Sequence, residues 1–167
     1  MFQIIIRAAK KSYKNANYAR SNSISNVKFL PSDLALQLSS KILISFEADD
    51  RQRLSEALLD ELSDAAGIDV VEVAVTDENQ VHKRRGSRII MKKYGSYRPG
   101  SKIINISNRT AARGQILASK SFLDTLLHEW IHHYDTYKLK INSIHSKGFY
   151  GRLNDLKIKL KIPKKTV

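Results

Sequence analysis

The chain of 167 residues contains no cysteine. That excludes disulfides, Cys-type zinc fingers and a thiol nucleophile. No apolar run approaches the ~20 residues of a membrane-spanning helix, so no membrane role is expected. The start, MFQIIIRAAKK, has a short apolar stretch with no basic segment ahead of it and is not read as a secretory signal. Residues 1–32 hold no acidic side chain. An organelle transit peptide shares that composition, but Phe2, Ile4, Ile5 and Ile6 suit a strand equally well, and a basic arm on a cytoplasmic protein is the reading preferred.

Lys and Arg number 29 against 16 Asp and Glu, a net charge of +13. The charge is segregated. Residues 81–120 carry eleven basic side chains and no acidic one, whereas residues 51–80 carry two basic and eight acidic. Both ends of the chain are basic as well. Such a distribution favours a polyanionic partner, above all nucleic acid met through basic loops in 81–120 and the termini.

Periodicity organises the rest. Residues 1–9 suit an edge strand, and residues 10–28, rich in Ser and Asn, read as a loop or mobile arm. Pro31, Ser32 and Asp33 open a short helix through Leu34, Leu36 and Leu38. Asp49 and Asp50 precede an amphipathic helix in which Leu54, Leu58 and Leu62 share a face, with Gly67 as its stop. The period then shortens: residues 69–76 read as a strand, His82 to Gly86 as a basic turn, 87–94 as a second strand, Gly95 to Gly100 as a hairpin connection and 102–107 as a third strand. A helix over about 118–138, a linker of about eight residues and a helix over about 147–160 complete the chain. The expectation is an α+β fold: a small three-stranded sheet, four-stranded if residues 1–9 join it, with helices packed on one face. Residues 1–48 are read as a basic N-terminal arm with a short helix, and residues 49–167 as the domain that carries the chemistry.

That chemistry rests on His128-Glu129-Trp130-Ile131-His132, an H-E-x-x-H pentapeptide inside the apolar-periodic run from Phe122 to Tyr137. Residues four apart lie on one helix face, a turn above one another. Two imidazoles so placed can grip one Zn²⁺ at about 2.0–2.1 Å each. Glu129, one step from His128, falls beside the metal rather than on it, where a carboxylate can take a proton from water. At about 100° per residue, His128 and His132 share a polar stripe with Ser121, Asp124, Thr125 and Asp135. Leu123, Leu126, Leu127, Trp130, Tyr134 and Tyr137 form the opposite, packed side. His133 points away from the pair and is read as a hydrogen-bonded structural or surface histidine.

A catalytic zinc usually has three protein ligands and one open position. His145, beyond the linker and just before the last helix, is the candidate for the third; capping of that helix is its other reading. A downstream glutamate ligand is excluded because none exists. The metzincin pattern fails because Asp135 stands where it needs glycine. Asp135 is placed instead as an acceptor for an imidazole N–H, with Asp124, one turn before His128, as a second candidate. Tyr150, Arg152 and Tyr134 are candidates to stabilise a tetrahedral oxyanion.

With these residues in view, about residues 50–160 resemble the SprT-like (Spartan-type) zinc metalloproteases. The resembling features are Leu126-Leu127-His128-Glu129-Trp130-Ile131-His132-His133, the later His145 with Phe149 four residues on, and the strand Ile103 to Ser107 within a helix-then-strands order. The resemblance implies a zincin-like endopeptidase with one catalytic Zn²⁺ on His128, His132 and His145 and Glu129 as general base. It also implies action on proteins associated with DNA. Two features depart from the family pattern. Ser146 and Lys147 separate the third histidine from Gly148, where members commonly have glycine at once, and a Cys-rich zinc ribbon is impossible. Two alternatives stand beside this reading: a basic nucleic-acid-binding protein with a structural or vestigial metal site, and a regulatory peptidase with one dedicated protein substrate.

Overall fold

The computed structural model describes residues 15–79, 82–85, 88–92, 94–111 and 113–163. Five helices lie in the described residues: α1 (15–22), α2 (Asp33–Ile42), α3 (Ala48–Ala66), α4 (Ser119–Tyr137) and α5 (Lys147–Lys159). Between α3 and α4 come β1 (Glu72–Asn79), β2 (His82–Arg85), β3 (Arg88–Lys92), β4 (Gly95–Arg98) and β5 (Ile103–Arg109).

The helices begin and end where local chemistry says they should. Ser32 caps α2, its hydroxyl accepting from the Ala35 N–H at 3.0 Å. The face α2 buries is Ala35, Leu38 and Ile42. That spacing of three and four leaves Leu34 exposed, so the i, i+2 leucines do not form the stripe. In α3 the acids Asp49 and Asp50 occupy the first turn, where the helix dipole favours negative charge. Gly67 ends it in the left-handed conformation, φ 63°.

The sheet is mixed, in the order β1-β5-β4. β5 is the central strand, parallel to β1 (Val73 beside Ile104) and antiparallel to β4 (Tyr97 beside Ile104). Its burial alternates, with Ile104, Ile106 and Asn108 turned inward. α3 packs against β1, and α4 against β4 and β5. The core runs through all of these: Leu58, Leu59 and Leu62 of α3, Ile104 and Ile106 of β5, and Phe122, Leu126, Leu127 and Trp130 of α4. Val27, Ala35, Leu38 and Ile42 belong to the same core. At about 1.5–3 kcal/mol for each fully buried large apolar side chain, these residues dominate the stabilisation.

Three expectations change. Residues 15–22 of the segment read as a loop or mobile arm are helical, while the strand expected over residues 1–9 falls outside the described residues. His82 to Arg85, read as a turn, is a strand paired antiparallel with β3 in a two-stranded ribbon. Gly95 to Arg98, read as a hairpin connection, is β4, the edge of the main sheet; the turn is confined to 99–102, with Lys102 at φ 52°. The three-stranded sheet therefore uses β4 in place of the 87–94 segment.

Candidate metal centre

α4 carries His128 and His132 one turn apart, and its opposite face is locked in the core. Trp130 and Tyr134 are fully buried, and the indole N–H of Trp130 donates to Ser63 at 3.3 Å. After α4 the chain turns back through 138–146, and Ser146 caps α5, accepting from the Phe149 N–H at 3.1 Å. That reversal brings His145 over the pair. His145 Nε2 lies 3.0 Å from His128 Nε2 and 3.0 Å from His132 Nε2. The three ligand atoms all fall within 4.8 Å of one another.

The donor set fits a divalent cation. Three nitrogens at zinc-ligand distance on tetrahedral vertices stand about 3.3–3.4 Å apart, and His145 Nε2 stands 3.0 Å from each of the other two. His128 and His132 are in the ligating form. Burial, then His145 and Lys157, push His128 down to about 4, and burial, then His128 and His145, push His132 down to about 3. Both are neutral at physiological pH. Phe149, fully buried, supplies the dry floor: its ring centroid lies 4.6 Å from that of His132, 5.0 Å from His128 and 5.2 Å from His145.

Hydrogen bonds fix which nitrogen of His132 is free. Arg152 donates to Asp135 Oδ2 at 2.7 Å, so that oxygen is an acceptor. The Ser143 hydroxyl donates to the same oxygen at 2.9 Å. Its own oxygen must then accept from His132 Nδ1–H, 2.7 Å away. The proton sits on Nδ1, and the Nε2 lone pair faces the cluster. Burial raises the Asp135 carboxyl, and the hydrogen bond and charge of Arg152 oppose that shift. Asp135 is therefore linked to His132 through Ser143 and is not the direct acceptor of an imidazole N–H that the sequence suggested.

The remaining candidates separate. Glu129 is nearly buried and lines a cleft of about 380 Å³ with the three histidines, Ser96, Tyr97, Pro99, Thr136, Asn142 and Ser143. Asp124 is engaged by Lys157 at 2.9 Å and Lys120 at 3.9 Å instead of by an imidazole. Arg152 is fully buried, donating to Asp135 and to the carbonyls of Ser21 and Ile24, so it does not reach the cleft. The Tyr134 hydroxyl accepts from the Lys28 N–H at 2.9 Å on the packed side of α4, also away from the cleft. Tyr150 alone of the three oxyanion candidates is near: half exposed, its ring centroid is 6.0 Å from that of His145 and 6.4 Å from that of His128.

Sequence reasoning missed Ser143, Phe149 as the floor, and the edge strand. Gly95 passes so close to α4 that a Cβ there would lie 2.8 Å from Thr125 Cγ2 and 3.2 Å from Glu129 Cγ. A glycine two residues before Tyr97-Arg98-Pro99-Gly100 carried that signal without naming its partner. No helix among the described residues is long and apolar enough to cross a membrane. No family model, curated protein or solved structure matches the chain.

Proposed function

We propose that the protein is a zinc-dependent endopeptidase. The observation that carries this reading is the convergence of three imidazole nitrogens in one cleft with a glutamate, Glu129, one residue from the first of them. A structural metal site gains nothing from such a base. A divalent ion held by His128, His132 and His145 supplies a Lewis acid that polarises a carbonyl and makes water easier to deprotonate. Glu129 takes the proton from the attacking water on a carboxylate oxygen and returns it to the leaving amine. The Tyr150 hydroxyl is the group we assign to the oxyanion, because its ring stands beside those of His145 and His128 and is half exposed. An extended substrate adds to the outer edge of β4, whose Ser96 and Tyr97 line the cleft.

The likeness to SprT-like proteases supports peptide bonds as the target, and the excess of Lys and Arg in the sequence supports proteins bound to DNA as the substrates. Cleavage of casein by the zinc-loaded chain, with and without DNA, tests both. Activity that disappears in Glu129→Gln while zinc content stays the same is the expected result. A Glu129→Gln protein that still cleaves ends the peptidase reading, and salt-sensitive DNA binding without any cleavage favours the binding protein instead.

A further inference from the structure

Residues 20–28 lie directly on α5. At Gly148 an added Cβ would stand 1.9 Å from the Ser21 carbonyl oxygen, so no side chain fits there. The crossing point is the first turn of α5, which begins two residues after His145. The Ser21 and Ser146 hydroxyls share a hydrogen bond of 2.7 Å, and the Gly148 N–H donates to Asn22 Oδ1 at 3.0 Å. A helix start has four N–H groups without helical partners. Here one is taken by Ser146 and another by the crossing segment.

Arg152 extends the same network inward. Its guanidinium donates to the Ser21 carbonyl at 2.9 Å, to the Ser21 hydroxyl at 3.2 Å and to Asp135 at 2.7 Å. From Asp135 the path runs through Ser143 to His132. One connected set of hydrogen bonds therefore reaches the crossing segment, the residue after His145 and the residue bonded to His132 Nδ1.

We propose that residues 20–28 are a positioning strap for the metal centre, in which Ser21 and Asn22 hold the start of α5 and with it His145 over the pair on α4. This rests on the reading of the three imidazoles as metal ligands. His145 is the exposed member of the triad and comes from a connection with no regular structure. A ligand on such a segment binds well only when something outside the segment fixes it beforehand. Further along α5 the strap has separate anchors: Asp155 accepts from the Val27 N–H at 2.9 Å and from Asn26 at 3.1 Å. These hold the strap without touching the ligand loop and provide a control.

The test uses the full chain, with Zn²⁺ affinity measured by competition with a chromophoric chelator and stability measured by urea unfolding in EDTA. The Ser21→Ala, Asn22→Ala double variant is expected to bind Zn²⁺ about 10–100-fold more weakly, the range for lost outer partners of metal ligands. Asp155→Asn is expected to lower stability and to keep wild-type affinity. Asn22→Asp, which retains the acceptor facing Gly148, is expected to restore affinity in the single-site series. If the double variant does not fold, Asn22→Ala alone, at an exposed side chain, carries the same comparison. Unchanged Zn²⁺ affinity in the variants, or affinity falling alike in the strap and control variants, overturns the proposal. A wild-type chain that takes up no Zn²⁺ instead removes the metal-site reading beneath it.

Discussion

The Tyr97 hydroxyl and His133 Nδ1 stand 2.9 Å apart, joining the edge strand of the sheet to the helix that carries the imidazole pair. His133 Nε2 is 2.8 Å from the Asp69 carbonyl oxygen, which can only accept. Nε2 therefore bears the proton, and Nδ1 accepts from the phenol. Burial lowers the pKa of His133 and raises that of Tyr97, keeping both neutral and the bond intact at physiological pH. One turn on, the Tyr137 hydroxyl donates to the Pro99 carbonyl at 2.9 Å. Two side chains four apart on α4 thus hold the C-terminal end of β4 and the turn that follows it.

Tyr97→Phe keeps the ring and leaves a buried imidazole nitrogen without its donor. Destabilisation of about 1–3 kcal/mol is expected, the cost of an unsatisfied buried polar group. Urea unfolding measures it. If β4 receives the substrate, KM for a peptide rises more than kcat falls; a pure kcat effect would detach Tyr97 from substrate placement.

Ser143 links His132 to Asp135 among the described residues, so Ser143→Ala separates orientation of the imidazole from its presence. Zn²⁺ affinity is expected to fall about 10–100-fold, with little change in fold. Chelator competition reads the affinity and far-UV circular dichroism reads the fold. Affinity equal to wild type would mean that the Asp135 side chain orients nothing.

What periodicity could express was legible. The leucine stripe of α3, the buried back of α4 with its histidine stripe, and the apolar face of α5 all declared themselves, because burying a helix face imposes a spacing on the sequence. The strap did not. Ser21, Asn22 and Ser25 hold it by hydroxyls, amides and backbone against two glycines of α5, and such contacts leave no hydrophobic period. β4 is four residues long with Pro99 at its end, so turn chemistry masked it. Arg152 looked available because it lies close to His145 in sequence. On the helix it shares the face of Gly148, which turns toward the strap and Asp135 rather than the cleft.

The Asp135–Arg152 pair is fully buried at both ends. Removing one partner strands the other charge, which typically costs about 3–5 kcal/mol. Arg152→Met should therefore approach the whole stability of a small domain and yield protein that unfolds at low urea or is found insoluble. A variant with near-wild-type urea midpoint would show that water or local rearrangement compensates Asp135.

Asp77 gives a pH dependence with a definite sign. The hydrogen bond from Arg109, followed by that from Asn108, holds its carboxyl below the usual range, and the Arg109 contact is 3.0 Å. A group whose folded pKa is depressed contributes stability above its unfolded value, about 3.9. That contribution is lost as pH falls through the lower folded value. Asp77→Asn should flatten the acid limb of the stability curve below about pH 4 while leaving its neutral plateau little changed, since the pair is solvent-exposed. Urea midpoints between pH 2.5 and 7 test this; parallel curves would assign the acid limb to other carboxylates.

Gly95 offers the sharpest separation of metal binding from chemistry. An alanine methyl there would meet Thr125 Cγ2 at 2.8 Å, Glu129 Cγ at 3.2 Å and the Asn105 carbonyl oxygen at 3.3 Å. The sheet backbone cannot yield without breaking the β4–β5 ladder, so the side chains of Thr125 and Glu129 are the groups that move. No histidine atom is among the three nearest to that methyl, so the three imidazoles keep their arrangement. Gly95→Ala is therefore expected to retain Zn²⁺ at wild-type stoichiometry and to lose peptide cleavage at least tenfold, because a shift of about 1 Å in a reacting group can cost 10²-fold. Metal analysis and single-turnover cleavage on the same sample decide it. Full activity would mean that Glu129 has slack beside β4, and loss of the metal along with activity would mean that the strand, not the glutamate, had given way.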